Sequence, residues 1–232
     1  MIEPRSRRGV APPGAIATVL FDLDGTLADT ERMHWQSYRA VLLEYGVDIG
    51  LEEYRRHFIA ADGGPEYACR TYALPITADE VRARKIPIYR ARITAGVPPM
   101  PGAREALRRL GRTRPVAIVT NTARVDAGII TGHLGIDGLL AKVIVREDYA
   151  RSKPAPDSYL AAAAALGVSP SECAVVEDTA RGLGAGLAAG MRVIAVPSDL
   201  TFDNDFTGAV CRLSSLDALT DDLLARLEGT NR

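Results

Sequence analysis

Residues Phe21 to Thr26 read Phe-Asp-Leu-Asp-Gly-Thr directly after the apolar run Ala17-Thr18-Val19-Leu20, which places two carboxylates where a buried strand ends. Side chains two apart on an extended chain share a face, and Gly25 permits a sharp turn just beyond them, so Asp22 and Asp24 converge on one small volume. Two anions that close stay ionised together only when a proton or a cation lies between them. The motif therefore asks for a divalent ion, and carboxylate oxygens suit the hard Mg²⁺. The other reading of the same six residues is a turn Asp and an N-cap Asp ahead of the next helix.

Three further segments bear on that choice. Val116-Ala117-Ile118-Val119 is an apolar run ending in Thr120-Asn121, and Ala174-Val175-Val176 ends in Glu177-Asp178-Thr179. Between them lies Ser152-Lys153-Pro154-Ala155-Pro156-Asp157. In an open parallel sheet, ligands bind outside the carboxyl ends of the strands, near the reversal of strand order, and these polar residues fall at that edge. Helical patterns over 101–110, 122–134 and 156–166 alternate with strand patterns at 116–119, 143–145, 174–176 and 192–196. The small residues 182–190 fit a helix packed close to the sheet better than a free loop. Such alternation predicts an α/β fold, a parallel sheet with right-handed crossovers.

About ninety residues separate the first strand from the one at Val116, far too many for a simple crossover helix. Helical spacing covers 31–45, stopping near Gly46, and recurs over 51–58, 65–72 and 79–93. Four such helices make a small bundle able to bury its own core. The expected organisation is a disordered tail at 1–14, a Rossmann-like core from 15–28 and 99–232, and an inserted α-helical bundle, a cap, at 29–98.

On these motifs the chain resembles the haloacid dehalogenase superfamily, in the subgroup of beta-phosphoglucomutase and related sugar-phosphate phosphatases. The resemblance runs from about Ala15 to at least Ala209 and rests on four segments in order: Asp22-x-Asp24-Gly25-Thr26, Thr120-Asn121, Lys153-Pro154-x-Pro156-Asp157, and Glu177-Asp178-Thr179-x-x-Gly182. Thr120 stands where many members carry Ser, and the exchange keeps the hydroxyl. The resemblance implies a mobile cap joined by linkers near 28–30 and 95–99. It implies that Asp22 is the nucleophile, forming an aspartyl phosphate, and that Asp24 is the general acid and base. It further implies Mg²⁺ held by Asp22, by the backbone carbonyl of Asp24, by Asp178 and by Glu177 directly or through water. Gly25, Thr26, Thr120, Asn121 and Lys153 would serve the phosphoryl group, with hydroxyl and amide donors and the ammonium offsetting the dianion.

The chain has 28 basic side chains, of which only Lys85, Lys142 and Lys153 are lysines, so a retained lysine draws attention to its compact ammonium. Lys142, at a strand start, reads as a solvated edge charge. In beta-phosphoglucomutase-like proteins a cap histidine and a cap lysine reach the site, and His34 and Lys85 stand at corresponding places. The plainer reading is a helix-surface histidine and an ordinary exposed lysine. His57 and His133 match no motif.

Where a mutase-like cap would present an arginine for a second phosphate, residues 59–66 offer Asp62 and Glu66, with Arg70 a turn later. Hydrolysis of a small phosphomonoester, a sugar phosphate or bisphosphate, is therefore favoured over a phosphosugar mutase. A hydrolytic dehalogenase has no use for Asp24 or a metal, and a non-catalytic binding module has no need to keep these groups together. With a net charge of −1 there is no global drive toward nucleic acid or anionic membrane. The three cysteines lack C-x-x-C spacing, no apolar stretch approaches a membrane span, and residues 1–14 lack a signal-like apolar centre. The expectation is a cytoplasmic monomer or weak homodimer acting on a small phosphorylated metabolite.

Overall fold

The computed structural model describes residues 15–60 and 63–228; the expected tail at 1–14 and two residues of the cap loop, 61 and 62, lie outside them. Its centre is a six-stranded parallel sheet. The strands are β1 (Thr18–Phe21), β2 (Val116–Val119), β3 (Lys142–Ile144), β4 (Cys173–Glu177), β5 (Arg192–Ala195) and β6 (Cys211–Arg212), in spatial order β3-β2-β1-β4-β5-β6. β1, β2 and β4 are buried along their whole length, which is why they read as continuous apolar runs rather than alternating ones. The crossovers bury both faces beneath helices α5 (Ala103–Leu110), α6 (Arg124–Leu134), α7 (Asp157–Leu166), α8 (Ala180–Ala188) and α9 (Asp221–Glu228).

Strand order reverses at β1. The chain leaves β1 toward β2 and β3, then returns to build β4 and β5 on the other side. Phe21 lies in register with Val176, and Asp22 N donates to Val176 O at 3.0 Å, so the motifs that end β1 and β4 emerge side by side. The small-residue stretch is helical, as expected, and close packing is its reason: a Cβ on Gly186 would lie 2.6 Å from Val193 Cγ2. Lys142 is exposed on edge strand β3, as a solvated charge should be.

Between β1 and α5 the chain forms α1 (Glu31–Leu43), α2 (Leu51–Tyr54) continued by a π-helical segment (Arg55–Ala60), α3 (Gly64–Thr71) and α4 (Ala78–Ala95). α4 opens with a Thr77/Glu80 capping box. Leu42, Ile49, Tyr54, Ile59 and Ala68 form an apolar cluster of their own, separate from those on the sheet, joined by Leu200 from the sheet side. The two connections to the sheet run together: Ala28 bridges Pro99, Asp29 N donates to Pro98 O at 3.0 Å, and Met100 N donates to Leu27 O at 2.9 Å. β6 and α9 were not among the expected elements; β6 has two residues, too short for a period, and α9 follows a loop-like stretch.

Candidate active site

A cavity of about 320 Å³ opens where β1, β2 and β4 end beneath the inserted helices, and Asp22, Asp24, Thr120, Asn121, Lys153, Glu177, Asp178, His34 and Lys85 all line it. The ammonium of Lys153 is the organising cation. Buried at the cavity floor, it donates to Asp22 Oδ1 at 2.6 Å, to Glu177 Oε1 at 2.7 Å and to Val119 O at 2.8 Å, using its three protons. Burial alone would drive Lys153 toward the neutral amine, but Asp22 and Glu177 outweigh it and hold the ammonium firmly charged.

Glu177 is fully occupied. Its Oε1 also accepts from Tyr159 Oη at 2.7 Å, its Oε2 accepts from Thr179 Oγ1 at 3.3 Å, and Gly182 packs so closely that a Cβ there would sit 1.9 Å from the carboxylate. Asp178 is the opposite case. Its Oδ1 accepts from Thr26 Oγ1 at 3.3 Å, whereas Oδ2 is buried without a partner. Oxygens of Asp22, Glu177 and Asp178 lie within 4.8 Å of one another. Burial, and then the neighbouring carboxylates, push the Asp178 carboxyl well above its usual range; burial raises Asp22 as well, against the pull of Lys153. Three buried carboxylates around one lysine, with one oxygen orphaned, are the surroundings that a hard divalent cation completes, so these residues fit Mg²⁺.

Asp24 faces away from that cluster, toward the inserted helices. Its Oδ1 accepts from Thr30 Oγ1 at 2.7 Å and Tyr89 Oη at 3.3 Å, and its Oδ2 accepts from Thr120 Oγ1 at 3.2 Å and from Thr122 Oγ1. His34 Nε2 stands 3.7 Å from Oδ1. Burial would raise this carboxyl, but His34 and the hydroxyls of Thr122 and Thr30 prevail and hold it far below the carboxylate range. The alternative reading of an N-cap Asp does not hold: Thr30 sits at the N-cap of α1, and its hydroxyl goes to Asp24 rather than to the helix.

The insertion supplies the opposite wall. Lys85 Nζ donates to His34 Nδ1 and sits 4.1 Å from the Tyr89 ring, while His34 stacks on Tyr89 at 4.0 Å. Burial lowers the Lys85 ammonium to about 8. Lys85 is buried and His34 half-buried, so neither is the exposed side chain of the plainer reading. Asn121 offers its amide oxygen to Tyr149 Oη at 2.8 Å and Lys153 N at 3.2 Å, which leaves its NH₂ as the donor.

Two expectations change on inspection. Gly25 and Thr26 do not line the cavity; they lie behind Asp178, where Gly25 at φ +80° clears Asp178 Oδ2 and Thr26 holds Oδ1, so both act through that carboxylate. Glu66 is no free anion, because Arg82 pairs with both of its oxygens; Arg82 lines the cavity and Arg70 does not. Sequence reasoning missed Thr30, Thr122, Tyr89, Tyr159, Arg82 and Arg181. Arg82, Lys85 and Tyr89 share one face of α4 by their spacing, a signal present in the sequence. His57 stacks on Tyr67 and His133 bonds Thr94 O, both away from the site.

Residues 16–190 match the sequence profile of the haloacid dehalogenase-like hydrolases. The chain belongs to this family. Protein CbbY (plasmid) of Cupriavidus necator is 36% identical over 217 residues, covering 85% of this chain and 85% of its own. Fructose-1-phosphate phosphatase YqaB of Escherichia coli is 30% identical over 185 residues, covering 78% of this chain and 96% of its own. The crystal structure of a CbbY variant from Rhodobacter sphaeroides in complex with xylulose-(1,5)bisphosphate has a TM-score of 0.75 at 28% identity, over 88% of this chain and 96% of that one. The haloacid dehalogenase-like chain described here is an enzyme of the phosphatase type. Among its described residues no helix is long and apolar enough to cross a membrane.

Proposed function

We propose that this enzyme hydrolyses a small phosphomonoester, a sugar phosphate or sugar bisphosphate, through an aspartyl phosphate on Asp22 with Mg²⁺ as cofactor. The observation that carries the reading is the division of labour between two carboxylates on one strand end. Asp22 is set against Lys153 among the metal-fitting oxygens, and Asp24 is set against four hydroxyls with His34 beside them, facing the inserted helices. The names of CbbY and YqaB, and the bisphosphate bound to a CbbY variant, support a phosphorylated sugar as the substrate class.

Asp22 attacks phosphorus in line, with Lys153 neutralising charge on the carboxylate and on the transferring group. Asn121 donates to phosphoryl oxygens, and Thr120 does so once its hydroxyl turns from Asp24; removing one such donor typically costs about 2.7–4 kcal/mol of barrier. Asp178 and Asp22 would hold the Mg²⁺ together with the Asp24 backbone carbonyl, and Glu177, already bonded on both oxygens, orients Lys153 and would act on the cation through water. The bound cation supplies charge neutralisation to the carboxylates and to the phosphoryl oxygens. With its proton removed, Asp24 is poised as the base that activates water in the second half-reaction. It becomes an acid for the first half when a phosphate dianion beside it raises its pKa and its hydroxyl donors let go. The inserted helices serve as a cap that excludes water around these charges.

Pairing Glu66 with Arg82 removes most of the repulsion expected between this loop and a second phosphate, so the cap loop alone does not separate phosphatase from mutase. Phosphorus NMR does. Incubation with fructose 1-phosphate and Mg²⁺ should show free phosphate growing at the substrate's expense, abolished by chelator and by Asp22→Asn. Accumulation of a positional isomer with little free phosphate would make the enzyme a mutase, and full turnover in chelator would exclude the mechanism.

A further inference from the structure

We infer that residues 199–204, in the loop that leaves the sheet after β5, form a latch holding the helical insertion down on the sheet and so setting the working position of Asp24. The inference rests on the phosphatase reading above only for its kinetic readout.

The loop is fixed to the sheet side. Thr201 is fully buried and its Oγ1 accepts from Ser198 N at 2.9 Å, Arg212 Nη2 donates to Phe202 O at 2.6 Å, and Asn204 Oδ1 accepts from Ala180 N at 3.0 Å. That last bond ties the loop to the first turn of α8, immediately after Glu177-Asp178-Thr179. The side chains that leave the sheet side land on the insertion. Leu200, 5% exposed, completes the cluster of Leu42, Ile49, Tyr54, Ile59 and Ala68. Asp199 pairs with Arg32 of α1; Asp203 pairs with Arg55, whose guanidinium lies 5.1 Å from the Phe202 ring. Tyr54 and Ile59, members of the cluster that Leu200 joins, are themselves walls of the cavity.

The placement flanks the site. β2 and β5 lie on opposite sides of β1. On the β2 side, Arg90 of α4 pairs with Asp126 of α6 at 2.6 Å; on the β5 side, the loop does the corresponding work. When the insertion is down, His34 and Tyr89 reach Asp24; lifted off, Asp24 keeps Thr120 and Thr122 of the sheet side but loses those two. The Arg32–Asp199 pair is exposed and Asp203 of the second pair is exposed, so both are weak and screened by salt, and the burial of Leu200 carries most of the hold. Contacts of that kind close a lid without preventing its release for substrate entry.

The test compares two phosphates. Hydrolysis of fructose 1-phosphate needs a protonated leaving alkoxide, whereas the aryl leaving group of para-nitrophenyl phosphate needs little help. Leu200→Ala should lower kcat for fructose 1-phosphate about tenfold, the effect of truncating a leucine packed at a closing interface, and for para-nitrophenyl phosphate less than about threefold. Leu200→Met, nearly equal in volume, should restore both rates to within about twofold. Should Leu200→Ala fail to fold, Asp199→Asn with Asp203→Asn should give the same asymmetry in smaller measure. Hydrogen exchange reads the latch without turnover: either variant should exchange faster over residues 31–60 and unchanged in β1 and β4. Equal loss on both phosphates, or unchanged exchange over 31–60, overturns the latch. If the unaltered enzyme hydrolyses neither phosphate, the functional reading fails, and the exchange comparison still decides the latch in either direction.

Discussion

Replacing Asp178 by Asn is predicted to stabilise the metal-free protein, and to do so more at pH 8 than at pH 5. The Asp178 carboxyl is raised above its ordinary value of 3.8 by burial and then by Asp22 and Glu177. A raised carboxyl binds more protons folded than unfolded, so the stability it costs grows as pH climbs through the window from 3.8 to its folded value. Oxygens of the three carboxylates lie within 4.8 Å of one another, and at that separation each like-charge pair repels by about 3.5 kcal/mol at an effective dielectric near 20. The Lys153 ammonium is bonded to both partners, Asp22 and Glu177, which about halves the two repulsions and leaves roughly 3 kcal/mol. Protonation of Asp178 limits the penalty to about 1.36 kcal/mol per pH unit above 3.8, roughly 1.6 kcal/mol at pH 5 but over 5 at pH 8. Asn keeps an acceptor for Thr26 and removes the charge. At about 2–4 °C per kcal/mol for a chain of this size, the variant should melt roughly 6–12 °C higher at pH 8 in chelator and about half that at pH 5. Calorimetry across pH, with chelator and then with Mg²⁺, is the assay. In Mg²⁺ the order should close or reverse, because saturation to about 100 times Kd adds ~2.7 kcal/mol to the unaltered protein and much less to the variant. A destabilised variant at pH 8 in chelator, or a gain that is the same at both pH values, would refute the reasoning.

Asp24→Asn should fold and bind Mg²⁺ but lose about 10²–10⁴-fold in kcat on an alkyl phosphate, and far less on an aryl phosphate; equal losses would show that Asp24 acts through geometry rather than as an acid. Gly182→Ala drives a Cβ to 1.9 Å from Glu177 and should cost about 1–3 kcal/mol in thermal unfolding, with loss of activity. The control Gly184→Ala meets only Pro154 Cβ at 3.8 Å and should be neutral or stabilising by up to ~1 kcal/mol, since alanine is the better helix former. Because the Lys85 ammonium deprotonates near 8 and donates to His34, turnover of an alkyl phosphate should decline as pH rises through that value. Lys85→Met should flatten this limb in a pH–rate profile.

The cavity floor was legible because its parts are each announced locally: buried strands read as apolar runs, and Asp22, Thr120, Lys153 and Asp178 follow them within a residue or in one short motif. Groups that act on those residues from a distance were not. Tyr159 comes from the first turn of α7 and reads as an ordinary core aromatic until its hydroxyl is seen on Glu177. Arg82 cancels Glu66 from another helix, which no spacing in residues 59–66 could disclose. Thr26 sits inside the motif, yet its hydroxyl is spent on Asp178 because the turn at Gly25 sends it behind that carboxylate. The fold class and the insertion followed from periodicity and from the length of the gap before Val116. The π-helical continuation of α2 and the two-residue β6 carry no period to read.

The pairing of the two connecting segments has a consequence for how such an enzyme changes over time. Because Asp29 bonds Pro98 and Ala28 bridges Pro99, the chain leaves the sheet and rejoins it at one point, so the entire helical unit hangs from a closed doorway. Residues can be gained, lost or exchanged beyond that doorway at little entropic cost to the sheet, since the ends of the segment stay together whatever its length. On the proposed reading, the chemistry of Asp22 and Lys153 stays with the segments on either side of the doorway and the choice of leaving group travels with the helices between them. A graft of a relative's helices between Asp29 and Pro98 should therefore carry that relative's substrate range with it and leave the phosphoryl-transfer machinery in place.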